Sequence, residues 1–369
     1  MKYFDHSSTT PINPKVISLM TSKQSELYGN PSSIHLHGQK AKGILESARG
    51  KIAKSINAKK TQIIFTSGGT ESNNQVLWSL IGNKKNHIIT SKIEHPAITK
   101  ALQALEPLGL EYSLVNVSSD GLVDIDEILN LVNDRTGLIS IMLANNEIGA
   151  VQPIKEISKL ASEKGILLHT DAVQCMGKMK IDIVDLGVDF LSLSAHKFYG
   201  PKGAGILYTK NPTHLKPMII GGNQEYGLRG GTENLISIAG MALAAELINE
   251  ELESHIIHLT TLEKYFKSEL QDFNGKINFN GDQLNKLPGL ISVSFPGHKS
   301  SKLVIQLDQA EMYVSNGSAC GSGNIKPSPV LKALGFDDLR NFSTIRFSFG
   351  VSNSLKDVEA LINQIKKII

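Results

Sequence analysis

A chain of 369 residues with 41% hydrophobic and 20% charged residues has room for two domains and a sizeable core. A formal net charge of +3 is nearly balanced, so composition points neither to direct nucleic-acid binding nor to an anionic membrane surface, and no stretch approaches the roughly 20 apolar residues that span a bilayer. Two cysteines, Cys175 and Cys320, make no disulfide framework and lack partners at metal-site spacing; with no apolar signal core in "MKYFDHSSTTP", a cytoplasmic protein without a metal is expected.

A short extended piece opens the chain and leads into a helical pattern, "PKVISLMTSKQSELYG", from Pro14. From about Thr61 to Tyr208, β-rich runs alternate with helical spacing. The runs are "IIF" (63–65), "HIITS" (87–91), "YSLVNV" (112–117), "LISIML" (138–143), "ILLHTD" (166–171), "FLSLS" (190–194) and "AGILYT" (204–209). Such alternation predicts an α/β fold with a mainly parallel sheet covered by helices on both faces. Ligands in these sheets bind outside the carboxyl ends of the strands. After Thr232 the pattern changes to one long helical stretch, about Leu235 to Phe273, then "LISVSF", "MYVS", "TIRFSFG" and the amphipathic "LKDVEALINQIKKII". That mixture predicts a smaller α+β domain. The expected division places residues 12–253 in a large domain and residues 1–11 with 254–369 in a small one.

Chemistry-bearing residues cluster just after the strands. In "SAHKFYGPKG", Lys197 follows the strand ending at Ser194; a lysine desolvated there among other cations has a lowered pKa and suits Schiff-base chemistry. In "LLHTDAVQ", Asp171 ends a strand, with Gln174 three residues on; a carboxylate there can hold a pyridine nitrogen protonated, or merely cap the next helix. "IIFTSGGTESNN" joins a strand to a helix through Gly68, Gly69 and Thr70, an anion site of backbone N–H groups but not a P-loop, because no Gly-Lys-Ser/Thr follows. His95 in "TSKIEHPAI" and Asn146 in "ANNEIGAVQP" also follow strands; an imidazole there can stack and shuttle protons, and an amide can orient a carboxylate. Each has an ordinary structural explanation by itself. Together, Thr70, His95, Asn146, Asp171 and Lys197 follow five separate strands, so a parallel sheet brings them to one edge.

With those segments in place, the chain resembles the cysteine desulfurases of the class V aminotransferase group. The likeness runs through "DHSSTTPINP", "YGNPSSIH", "FTSGGTESNN", "NNEIGAVQPI", "HTDAVQ", "SAHKFYGPKG", "RGGTEN", "SNGSAC" and "STIRFSFG". It implies the type I fold of transferases dependent on pyridoxal 5'-phosphate, with a seven-stranded sheet between helices. Lys197 is then expected to bind the cofactor, Asp171 to pair with its ring nitrogen, Gln174 to meet the ring oxygen and His95 to stack on the ring. Gly69, Thr70, Ser194 and His196 are expected to hold its phosphate. Thr232 is expected to reach the phosphate of a partner subunit, which implies a homodimer. Asn146 and Arg346 are expected to grip the carboxylate of the substrate, L-cysteine; the planar fork of an arginine matches a carboxylate bidentately.

In this resemblance Cys320 is the nucleophile. It takes the substrate's sulfur as a persulfide, releases L-alanine and passes the sulfur to an acceptor protein. "SNGSACGSGNIKPSPVLKALG" matches the branch with the longer loop. Members that dock an iron–sulfur scaffold usually carry a longer C-terminal extension than one ending at Ile369. Iron–sulfur cluster assembly, tRNA thiolation and DNA phosphorothioate modification therefore all stand as destinations. Other class V enzymes, a selenocysteine lyase or an aminotransferase, share the Lys197 site without all needing a loop thiol. A non-catalytic scaffold requires a broken cofactor position, and none is found. Cys175, among apolar residues in "DAVQCMG", reads as an inert packing residue.

Overall fold

The computed structural model describes residues 2–271, 277–316 and 326–369. Its strands are β1 Lys2–Tyr3, β2 Ile63–Thr66, β3 His87–Ser91, β4 Glu111–Val115, β5 Thr136–Ser140, β6 Leu167–Asp171, β7 Phe190–Ser194, β8 Gly205–Thr209, β9 Asn278–Asn280, β10 Leu290–Ser294, β11 Met312–Tyr313 and β12 Thr344–Ser348. Seven of them form one sheet in the order β2-β8-β7-β6-β5-β3-β4. The pairs β3–β4, β3–β5, β5–β6 and β6–β7 are parallel, whereas β8 runs antiparallel to both β7 and β2. With only β8 reversed, the carboxyl ends of β2, β3, β5, β6 and β7 share one edge.

Both faces of this sheet are covered, which is why its strands read as continuous apolar runs rather than alternating ones. Side chains still alternate between faces. Ile63, Phe65, Ile89, Ile139, Leu168 and Leu191 pack into one core, while their neighbours Ile64, Ile88, Leu138 and Phe190 pack into another. The helix Gly69–Trp78 sits on the second face through Val76 and Leu77.

A separate apolar cluster gathers Phe4, Leu259, Leu262, Phe266, Ile291, Val293, Ile345, Phe347 and Leu361. Around it lie the antiparallel sheet β12-β10-β9 and the helices Leu252–Leu270 and Leu355–Ile368. The chain's first residues belong here, because β1 pairs with β11 and Asp5 bridges to Ser348.

Two helical expectations need correction. The stretch expected as one helix from about Leu235 divides into Leu235–Glu250 and Leu252–Leu270, with Glu251 at φ −103°, ψ 11° between them. The first half buries Leu235, Ile238, Met241 and Ala245 in the main core, and the second buries Leu259, Leu262 and Phe266 in the smaller one. The break at Glu251 lets each half turn its apolar face to its own core. The helical run from Pro14 also stops at Lys23, well before Gly29. Among the described residues, no helix is long and apolar enough to cross a membrane.

Candidate active site

One cavity of about 1030 Å³ opens at the shared carboxyl edge of the sheet. Gly69, Thr70, His95, Asn146, Asp171, Gln174, Ser194, His196, Lys197 and Arg346 all line it. Ten sequence-predicted residues thus meet in one place. Thr232 does not: it is exposed and lies outside this cavity's lining. Cys320 lies outside the described residues.

Lys197 enters the cavity from a 3-10 turn, Ala195–Lys197, directly after β7. Its Nζ donates to the carbonyls of Ser7 at 2.6 Å and Ser8 at 2.8 Å. Those carbonyls arrive from the N-terminal segment, which Thr10 fixes by donating its N–H (2.8 Å) and hydroxyl (2.9 Å) to the His196 carbonyl. Burial, then the positive charges of Arg346 and Lys178, push the Lys197 amine down to about 7, against the opposing pull of Asp5 and Asp171. An amine so placed is half unprotonated near neutrality and can act as a nucleophile.

Asp171, the last residue of β6, is held from two sides. One carboxylate oxygen accepts from the Val173 N–H at 2.9 Å, and the other accepts from the Asn73 amide at 2.6 Å. Asn73 was not singled out from sequence. It lies four residues after Gly69 on the helix Gly69–Trp78, hence on the same face, and that spacing was the available signal. Gln174 is buried and donates to the Ser7 carbonyl at 2.9 Å. His95 caps the helix Pro96–Leu105, its Nδ1 accepting from Ala97 N–H at 3.1 Å. Its ring stays solvent-accessible through the open cavity. Packing around its base, partly opposed by Asp171 and reinforced by Lys197, still lowers its pKa.

The anion-binding end is the turn after β2. The helix there starts at Gly69, and its first-turn N–H groups have no partner within the helix. Gly69 is required by contact: a Cβ there would come within 2.5 Å of Val173 Cγ2. Glu71, in the same turn, brings a carboxylate that is bound by the Ser67 N–H (2.9 Å) and by Arg229 (3.0 Å), so its charge is compensated. Ser194 closes this end from β7, and His196 joins Thr9 Oγ1 at 3.1 Å. Burial and the nearby Lys197 and Lys202 hold His196 down to about 4, so its ring is neutral.

Opposite Lys197 stands Arg346 from β12. It is 4% exposed and donates to Asp5 (2.7 Å), Ser8 Oγ (2.6 Å) and the Asn146 carbonyl (2.9 Å), with its Nε buried and unpartnered. Next to Asn146, Glu147 is buried and pushed up to about 7, eased by Ser328 Oγ, which donates to it at 2.6 Å, and by Arg346. Cys175 is fully buried and its thiol is pushed far above its ordinary range, as a packing residue should be.

The donor set fits pyridoxal phosphate. N–H groups at a helix start suit a phosphate, the braced Asp171 suits a ring nitrogen, and the desolvated Lys197 suits an aldehyde carbon. The cavity exceeds what one small molecule needs, so cofactor and amino acid have room together.

The sequence profile of the family described as Aminotransferase class-V matches residues 2–361. The cysteine desulfurase IscS of Dictyoglomus turgidum is 43% identical over 370 residues, covering 100% of this chain and 94% of its own. A solved structure titled NifS-like protein superposes with a TM-score of 0.93 at 36% identity, over 100% of this chain and 98% of that one. Another, titled SspA in complex with cysteine, gives a TM-score of 0.84 at 34% identity, over 95% of this chain and 99% of its own.

Proposed function

Because the chain belongs to the class-V aminotransferase family and is a cysteine desulfurase dependent on pyridoxal phosphate, we propose that Lys197 is its cofactor lysine and Cys320 its sulfur carrier. The observation that carries this reading is the Lys197 amine, desolvated beside two other cations in a cavity shared with Asp171. When bound, the cofactor supplies an electron sink for bond cleavage at the amino acid.

The chain's own residues do the rest. Asp171, braced by Asn73 and Val173, holds the proton of the ring nitrogen. N–H groups at Gly69 and Thr70, with Ser194 and His196, bind the phosphate. Gln174 and His95, both lining the cavity, would meet the ring oxygen and stack on the ring when the cofactor is bound. The Arg346 fork, together with Asn146, takes the carboxylate of L-cysteine, the ligand named in the related SspA structure. Cys320 then attacks the substrate sulfur: its own S–S bond forms as the carbon–sulfur bond breaks. The electron pair of the broken bond stays on carbon, which takes up a proton, so L-cysteine and the thiol become L-alanine and a Cys320 persulfide.

Residues 12–253 carry the sheet and the cofactor, and residues 1–11 with 254–369 carry Arg346 and Cys320; the separate apolar clusters support this division. Thr232, exposed beyond a segment that also exposes Ile220 and Tyr226, suits contact with a second copy of the chain, hence a homodimer. The carrier must return to a free thiol after each turnover, and thiols stay reduced in the cytosol, which favours a cytoplasmic setting. The persulfide sulfur passes to an acceptor protein serving cluster assembly, tRNA thiolation or DNA phosphorothioation.

Cys320→Ala tests the reading. Alanine and sulfide release from L-cysteine should be lost while the visible absorbance of bound cofactor remains; undiminished turnover would refute the role of Cys320.

A further inference from the structure

Lys178 is an amine in a place where amines rarely stay. It is 6% exposed, and its Nζ meets the Gln174 side-chain oxygen at 3.4 Å, its one hydrogen bond among the described residues. Among the described residues it has no carboxylate partner, although buried lysines are almost always paired. The charged and titratable groups facing it are Cys175, Arg346, His6 and His255. Neither histidine compensates it. Both rings are buried with unpartnered nitrogens, and burial with the Lys178 charge holds each down to about 4, so both are neutral.

The geometry connects Lys178 to the site. Gln174 offers its oxygen to Lys178 and donates its amide N–H to the Ser7 carbonyl at 2.9 Å. That same carbonyl accepts from Lys197 at 2.6 Å. Two amines therefore share one short chain of polar groups, in an interior where charges interact strongly. Lys197 also faces Arg346, Asp5, Asp171 and His95, and of these Arg346 is tied to Asp5 at 2.7 Å. Lys178 is the neighbouring cation with no such tie.

We propose that Lys178 is a positioning residue that primes the Lys197 amine as a nucleophile, through its unpaired buried charge and its hold on Gln174. The cost of burying an unpaired ammonium then has a return at the reacting nitrogen. The proposal rests on Lys197 being the cofactor lysine, but its test reads Lys197 directly in the cofactor-free full-length chain, so the two can fail separately.

The experiment is reductive methylation with formaldehyde and cyanoborohydride across pH 5.5 to 9.5, with Lys197 quantified by peptide mass spectrometry. Lys178→Met and Lys178→Gln should each move the Lys197 midpoint upward by about one pH unit, slowing its labelling about fivefold at pH 7. Lys178→Arg, which keeps the charge, should stay close to the unaltered protein. An unmoved midpoint in the Met and Gln variants would overturn the proposal, as would an Arg variant that shifts as far as Met. Should both uncharged variants fail to fold, the unaltered chain decides. Coupled amines give Lys197 a labelling curve broader than a one-proton titration, and a plain one-proton curve would refute the coupling.

Discussion

Glu94 offers a quantitative check on the electrostatics of the site wall. It is fully enclosed beside His95; one carboxyl oxygen accepts from Ser91 Oγ at 2.6 Å and the Met142 N–H at 3.0 Å, and the other is buried without a partner. Burial pushes its pKa from 4.5 up to about 8, with nearby Asp171 adding and the two hydrogen bonds opposing. The folded chain therefore keeps a proton that the unfolded chain releases above 4.5. Between those values the folded state binds more protons, so stability falls as pH rises. At roughly 1.4 kcal/mol per pH unit between 4.5 and about 8, the loss approaches about 5 kcal/mol by pH 9, and about 4 kcal/mol of it falls between pH 5 and pH 9. Glu94→Gln keeps the shape and the acceptor oxygen and removes the titration. Denaturant unfolding of both proteins from pH 5 to 9 should show the variant gaining steadily on the parent, by on the order of 4 kcal/mol at the alkaline end. Parallel curves would show that Glu94 ionises without penalty and that the wall is wetter than its packing implies.

Asn73→Ala removes the 2.6 Å donor to Asp171 and should weaken cofactor binding by about 1.5–3 kcal/mol, read as a ten- to hundredfold rise in the dissociation constant by absorbance titration. Gly69→Ala forces a Cβ against Val173 and should cost about 1–3 kcal/mol in thermal or chemical unfolding; adding Val173→Ala should recover part of it. Arg346→Lys keeps the charge but loses the planar fork, so the KM for L-cysteine should rise on the order of tenfold while the bound cofactor's absorbance is unchanged.

What was legible in the sequence and what was not divide along a physical line. Thr70, His95, Asn146, Asp171 and Lys197 were placed together because a parallel sheet puts strand ends on one edge, whatever the details of packing. Residues that act across the fold were not visible in that way. The Ser7 and Ser8 carbonyls reach Lys197 across about 190 positions of chain, and a carbonyl leaves no trace in residue type. Lys178 carries no mark of its burial in the sequence, because the groups that face it, His6, His255 and Arg346 among them, come from distant parts of the chain. The break at Glu251 was likewise hidden: helix propensity continues through it, and the turn falls where the chain passes from one core to the other.

The most direct test of the account is to reduce the cofactor-loaded protein with borohydride and map the modified peptide. A pyridoxyl group is expected on Lys197 alone, just after the carboxyl end of β7. The same group on another lysine, with Lys197 unmodified, would contradict it.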